Sequence, residues 1–136
     1  MAIAPTTSTF CSINGTDYSA WVKATSCSFG AAKLDKTNFA SAGWEESIGG
    51  IKSGEFSFEA MDDFADNDVN EDFFALLGTV VAVVLRFSSA TIGAANPEYR
   101  FNVLVTSGTG IDATVGELPM QSHTWPITGA VTRAVA

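Results

Sequence analysis

A single histidine and two cysteines among 136 residues leave little for acid–base or metal chemistry. With only His123 available, no Ser-His-Asp or Cys-His pairing can be argued, and alternation around Trp125 points to a structural or exposed ring rather than a base. Cys11 and Cys27 are too few for a zinc set or a disulfide framework, so free thiols are the expectation. Cations are scarce as well. Seven Lys and Arg stand against fifteen Asp and Glu, a net charge of −8. Such a balance repels phosphates and argues against gripping nucleic acid. The first residues lack a basic stretch followed by an apolar run, and no long apolar segment occurs later. Neither a signal peptide nor a membrane span is therefore expected, which points to synthesis in a cytoplasm. Internal repeats and low-complexity tracts are also missing.

What is present is apolar bulk. Hydrophobic residues make up 46% of the chain, with ten Phe and three Trp, enough for one domain with its own core. Residues 68–87 carry the clearest local pattern. Asp68 and Glu71 have the spacing of a capping box, and Val69, Phe73, Leu76 and Leu77 share one helical face. Gly78 is suited to the left-handed stop. Residues 79–87 then read as a β-branched strand, apolar on both faces.

Elsewhere the pattern is strand and turn. Residues 9–13 form a first strand, and Asn14-Gly15 a tight turn; with Thr16 these two also match a glycosylation sequon, read here as the turn alone. Asp17 is placed to cap an Asx-turn or one helical turn over residues 18–20. A second strand covers 21–29, with Thr25 and Cys27 on one face and Ala24, Ser26 and Ser28 on the other. Residues 30–43 are polar, small and aperiodic, and are expected to be a long contact loop. Residues 44–48 and 54–60 are expected as two strands joined through 49–53, the second with Phe56, Phe58 and Ala60 inward and Glu55, Ser57 and Glu59 outward. Residues 98–106 alternate, with Tyr99, Phe101, Val103 and Val105 on one face. Residues 118–127 and 131–135 close the chain, and Pro119 and Pro126 place the former at an edge or a bulge. Residues 1–7 read as a flexible arm.

The acids Asp62, Asp63, Asp66, Asp68, Glu71 and Asp72 are the densest polar cluster. Asp66-x-Asp68-x-Asn70 opens like a calcium loop, but Glu71 stands where the turn glycine is needed and Leu77 where the bidentate carboxylate belongs. These acids suit the start of a helix better than a metal. Glu55 and Glu59 on one strand face imitate a glycosidase pair, yet exposed alternating carboxylates are the commoner reason for such a pattern. No catalytic, cofactor or metal site is expected, and the chain reads as no enzyme.

The order of features resembles the major tail tube proteins of long-tailed bacteriophages. The resemblance runs over residues 8–135. It is carried by Ile13-Asn14-Gly15-Thr16-Asp17-Tyr18, by Leu34-Asp35-Lys36-Thr37-Asn38-Phe39, by Gly50-Ile51-Lys52-Ser53-Gly54-Glu55-Phe56-Ser57-Phe58-Glu59, by the short helix closing Leu76-Leu77-Gly78, and by residues 124–133. It implies an antiparallel β-sandwich with one short flanking α-helix. It further implies six-copy rings that stack into a hollow tube, the long loop reaching the neighbouring ring and one sheet lining the bore through which genome DNA passes without specific binding. Under that resemblance Lys33, Leu34, Asp35, Lys36, Thr37 and Phe39 are the inter-ring contact candidates, and Glu55 and Glu59 the lumen candidates. Tape measure, tail terminator and baseplate proteins are the implied further partners, and a virion tail assembled in the host cytoplasm is the implied location, with no membrane. With no evident C-terminal immunoglobulin-like domain of the kind some relatives carry, a minimal tube subunit is the expectation. Tubes of contractile tails and of bacterial injection systems share the fold. The alternative reading is a small β-sandwich carbohydrate-binding or capsid-decoration module, which would need a Trp platform built from Trp21, Trp44 or Trp125.

Overall fold

The computed structural model describes residue 5 and residues 7–64 and 69–136. Its elements are β1 (Phe10–Ile13), β2 (Thr16–Asp17), β3 (Val22–Asp35), a 3-10 turn (Phe39–Ser41), β4 (Ser47–Met61), α1 (Val69–Leu76), β5 (Val80–Arg86), β6 (Glu98–Leu104) and β7 (Met120–Ala134). The strands pair antiparallel in the order β2-β1-β5-β6-β7-β4-β3.

One strand serves two partners. The first half of β7 pairs with β4, from Met61↔Met120 to Glu55↔Pro126. Its second half pairs with β6, from Val103↔Ile127 to Glu98↔Ala134. Between them Gly129 has φ +85, and the register slips as Asn102 faces Thr128 while Arg100 faces Thr132. Only glycine takes that dihedral without strain, and the extra residues bend the strand. The sheet therefore folds about β7 into two facing layers, the sandwich the sequence predicts. Pro126 sits at the transfer point, the irregularity its missing N–H suggests. Cys11, Leu85 and Tyr99 form a row across three strands of one layer. The Cys11 thiol meets Thr25, and Tyr99 lies 6.0 Å ring to ring from Phe29, so that row runs along the single strand β3. The layers cross steeply, as in orthogonal packing.

The interface between the layers is aromatic. Phe56 stacks on Phe58 at 5.4 Å and meets Phe101 at 5.7 Å; Trp125 stands edge-on to Phe58 at 4.9 Å. All four are buried, with Val81, Val83, Val103 and Val105 beneath them. The alternations predicted for residues 56–60, 99–105 and 121–125 thus hold. Helix α1 closes the core by burying Val69 and Phe73, whose ring meets Phe58, Trp125 and Tyr18. Gly78 ends it at φ +82, as expected, and donates to the Val105 carbonyl at 2.8 Å. Leu77, expected on the buried face, is half exposed. The Asp68 cap and the calcium-like Asp66–Asp68 pattern lie outside the described residues, as does most of the expected arm at 1–7. Asn14 and Gly15 both have positive φ, the two-residue turn the sequence signals, and Asp17 Oδ1 accepts from the Ser19 amide at 2.9 Å.

Three expectations change. Residues 118–127 and 131–135, expected as two strands, form the single strand β7. Residues 30–35, taken with 36–43 as a loop, continue β3; residues 49–53, taken as a linker, continue β4. The two strands form one long hairpin from Val22↔Ala60 to Asp35↔Ser47, with a bulge where Ala31↔Lys52 gives way to Lys33↔Gly49. Gly50 is there for close approach: a Cβ on it would lie 3.2 Å from Leu34 Cγ and 3.3 Å from Ala32 Cβ.

Cys11 and Cys27 are free thiols on strands that do not pair with each other. Burial first, then Asp17, pushes the Cys11 thiol up to about 12, against a hydrogen bond with Thr25.

Candidate functional site

The residues with chemical potential are occupied structurally. His123 and Gln121 take inward positions beside Trp125 on β7, so each needs a buried partner. His123 Nε2 is 3.0 Å from Gln121 Oε1, and Nδ1 is 3.1 Å from Ser107 Oγ. Gln121 Nε2 in turn donates to Asp62 Oδ1 at 2.9 Å. A Gln carbonyl only accepts, so the imidazole proton sits on Nε2 and Ser107 donates to Nδ1. Desolvation lowers the His123 pKa, opposed by the charge of Asp62. Asp62 Oδ2 also accepts from Asn70 Nδ2 at 3.2 Å, and Asn70 Nδ2 donates to the Gly110 carbonyl at 2.8 Å. Asp63 accepts from Trp21 Nε1 at 3.0 Å, and Asp72 from the Tyr18 hydroxyl at 2.7 Å. This acidic segment ties the helix to the sandwich. Among the described residues, no three of His, Cys, Asp and Glu converge as a metal site. No described helix is long and apolar enough to cross a membrane. The Asp62–Gln121–His123 chain was detectable in the sequence only as two polar residues on an inward face.

The Trp platform required by the carbohydrate reading is not assembled. Trp125 is fully buried, Trp21 is packed against Tyr18 at 6.0 Å, and Trp44 is exposed at the hairpin tip.

Two surfaces carry the remaining candidates. The first is the outer half of the β3–β4 hairpin, which has no layer beneath it. Its tip is held by its own short polar side chains. Asn38 Oδ1 accepts from the Ala40 amide at 2.8 Å, and Ser41 Oγ accepts from the Asn38 amide at 3.2 Å. The Thr37 hydroxyl accepts from the Glu46 amide at 2.9 Å. Asp35 accepts from the Thr37 hydroxyl and amide, which lower its pKa, and Lys33 pairs with Glu45. With polar groups satisfied locally, apolar groups point outward: Phe39 is fully exposed and Trp44 is 78% exposed, alongside Leu34, Ile48 and Ile51. All six inter-ring candidates lie on this arm. Lys33, Leu34 and Asp35 end β3, Lys36 and Thr37 begin the turn, and Phe39 opens the 3-10 turn. Trp44, Ile48 and Ile51, on the returning side, join them; Gly49 and Gly50 interrupt the pattern there, so the sequence alone does not signal the second arm of a hairpin.

The second surface is the outer face of β3, β4 and the first half of β7. Cross-strand partners form three rungs there: Ala24–Glu59–Ser122, Ser26–Ser57–Thr124 and Ser28–Glu55–Pro126. Ser57 Oγ and Thr124 Oγ1 are 3.0 Å apart. Every side chain in these rungs is short except the two carboxylates, and no rung contains a cation or an aromatic ring. Glu55 and Glu59 are both exposed on it, so the two lumen candidates share one smooth acidic face.

No protein-family model matches the sequence, and no curated protein matches it. Solved structures do share its fold. A chain in the virion of a native gene transfer agent (GTA) particle superposes with a TM-score of 0.64 at 20% identity, covering 85% of this chain and 85% of that one. A chain in the tail of an empty GTA particle, refined with helical C6 symmetry, gives a TM-score of 0.59 at 19% identity, covering 84% and 82%. The mainly antiparallel β architecture with one helix is thus the fold of chains found in phage-like virion and tail particles.

Proposed function

We propose that this chain is a structural virion subunit that polymerises as stacked hexameric rings into a phage-type tail tube, the conduit for genome delivery. The observation that carries the reading is the uncovered β3–β4 arm. A two-stranded hairpin with no layer behind it is marginal in water, and this one displays Phe39, Trp44, Leu34, Ile48 and Ile51 to solvent. Such an arm gains its stability by docking. The fold likeness to a chain from a C6-symmetric tail supports copies of the same protein as what it docks on.

In the tube, Lys33, Leu34, Asp35, Lys36, Thr37 and Phe39 make the inter-ring contact. The rungs holding Glu55 and Glu59 face the bore. A wall of hydroxyls and carboxylates offers phosphates no cation to exchange for their counterions, so DNA passes without adhering. The protein works without a catalytic site or cofactor, in the virion tail, after assembly in the host cytoplasm. Tape measure, terminator and baseplate proteins meet the tube inside and at its ends. Negative-stain microscopy and mass photometry of the purified protein test the reading. Rings of six and rods built from them are expected; a monodisperse monomer at every concentration would overturn it.

A further inference from the structure

Resting on that reading, we infer that the arm of one copy seats on an apolar patch at the opposite end of another copy, formed by Phe64, Ile111 and Leu118. The hydrogen bonds of Asp62 bring the segments that carry these three residues to one end of the fold. Its amide donates to the Pro119 carbonyl at 2.8 Å, one residue from Leu118. Its carboxylate accepts from Asn70, which also donates to the carbonyl of Gly110, one residue from Ile111. Phe64 follows two residues after it. All three apolar side chains are more than half exposed.

The distance between arm and patch makes the contact intermolecular. Strand β4 runs from the arm at Ser47 to Met61, beside the patch, in 15 residues. At the usual strand rise that is roughly 50 Å. Because β4 is held along its length by β3, and over its inner half by β7, the arm cannot fold back onto its own patch. Two different surfaces at opposite ends of one molecule make a heterologous contact, which propagates without closing.

Charge permits the same match. The arm balances Lys33, Lys36 and Lys52 against Asp35, Glu45 and Glu46, with Lys33 paired to Glu45, so it is neutral in a chain of net charge −8. Neither residues 61–72 nor residues 107–121 contain a Lys or Arg, while Asp62, Asp63, Glu71, Asp72, Asp112 and Glu117 lie within these two segments. Lysines brought to this end meet carboxylates and no competing cation.

The test uses two variants that each spoil one half of the contact: F39S/W44S on the arm and I111E/L118E on the patch. All four side chains are exposed, so circular dichroism and thermal melting should match the parent. Each variant alone should stop at single rings, with the concentration for half-maximal rod formation raised about 10-fold or more. Mixed, they retain one good arm and one good patch, and should give pairs of rings that grow no further. An independent check places F39C and L118C together with Cys27→Ser, leaving Cys11 buried. Mild oxidation of the rods should yield a covalent ladder. Rods from I111E/L118E at the parent's concentration, or parent-like rods of the cysteine variant with no ladder, would overturn the assignment of the patch while leaving the tube reading intact. A parent protein that forms no rods would overturn both.

Discussion

Gly54, paired with Phe29 across the hairpin, lies so close to Ser28 that a Cβ at position 54 would be 2.6 Å from the Ser28 carbonyl oxygen. On the other side the same Cβ would lie 3.0 Å from Ile127 Cδ1. Backbone cannot withdraw from such a clash as a flexible side-chain tip would. Gly54 is thus the residue that lets β3, β4 and the corner of β7 come together at the root of the arm. Gly54→Ala should cost about 1–3 kcal/mol by overpacking, lowering Tm on the order of 5–10 °C. Gly30→Ala, where no atom lies within 4 Å, is the control and should change Tm far less. Thermal melts of the two variants decide it.

His123 predicts an acid limit to stability. Its pKa is lowered in the fold, mainly by desolvation, so the native state favours the neutral ring. A depressed folded pKa means that the stabilisation is complete above the unfolded value of about 6.5 and is lost as pH falls through the folded value. Stability measured by urea titration should therefore decline below pH 6.5. His123→Gln, which keeps a side-chain hydrogen bonder without the titration, should flatten that decline. An unchanged profile in the variant would show that His123 is not its source.

The cysteines should differ in reactivity. Cys11 is buried with its pKa pushed up to about 12, whereas Cys27 is half-buried, its pKa raised by burial alone. The thiolate is the reactive form. In the native protein a thiol reagent should modify Cys27 slowly and leave Cys11 unmodified until denaturant is added. Mass spectrometry of the labelled peptides reads this directly.

The acidic rungs make a prediction about the bore. Glu55→Lys with Glu59→Lys changes two exposed side chains and should leave folding and rod formation within about 0.5 kcal/mol of the parent. Rods of the variant should retain DNA at low salt and release it as salt rises, while parent rods retain none. Equal retention by both would remove these residues from the lumen.

The core and the helix were legible in the sequence because burial imposes a period. Phe56, Phe58 and Ala60 alternate with solvent-facing residues since one layer lies beneath them, and Val69 and Phe73 recur at helical spacing for the same reason. The arm has nothing beneath it, so residues 30–35 and 47–53 carry no alternation and their glycines read as breaks. Gly50 shows why that inference fails: the glycine accommodates Leu34 across the hairpin rather than turning the chain. The double pairing of β7 was equally hidden, because it is decided by β4 and β6, far away in the chain. Thr128-Gly129-Ala130 read as a connection between two strands, when its positive-φ glycine is a bulge within one. Of the site candidates, the residues of 33–39 and the pair Glu55 and Glu59 fall on two separate exposed surfaces, while the segments of Phe64, Ile111 and Leu118 meet at Asp62 through hydrogen bonds that no local pattern signals.

A helical reconstruction of rods assembled from the purified protein decides whether this chain builds a tube. A hollow sixfold tube is expected, with arms bridging successive rings and the Ala24–Glu59–Ser122, Ser26–Ser57–Thr124 and Ser28–Glu55–Pro126 rungs facing the bore. A solid fibre, or a tube whose bore is lined by another face while these rungs point outward, would contradict it.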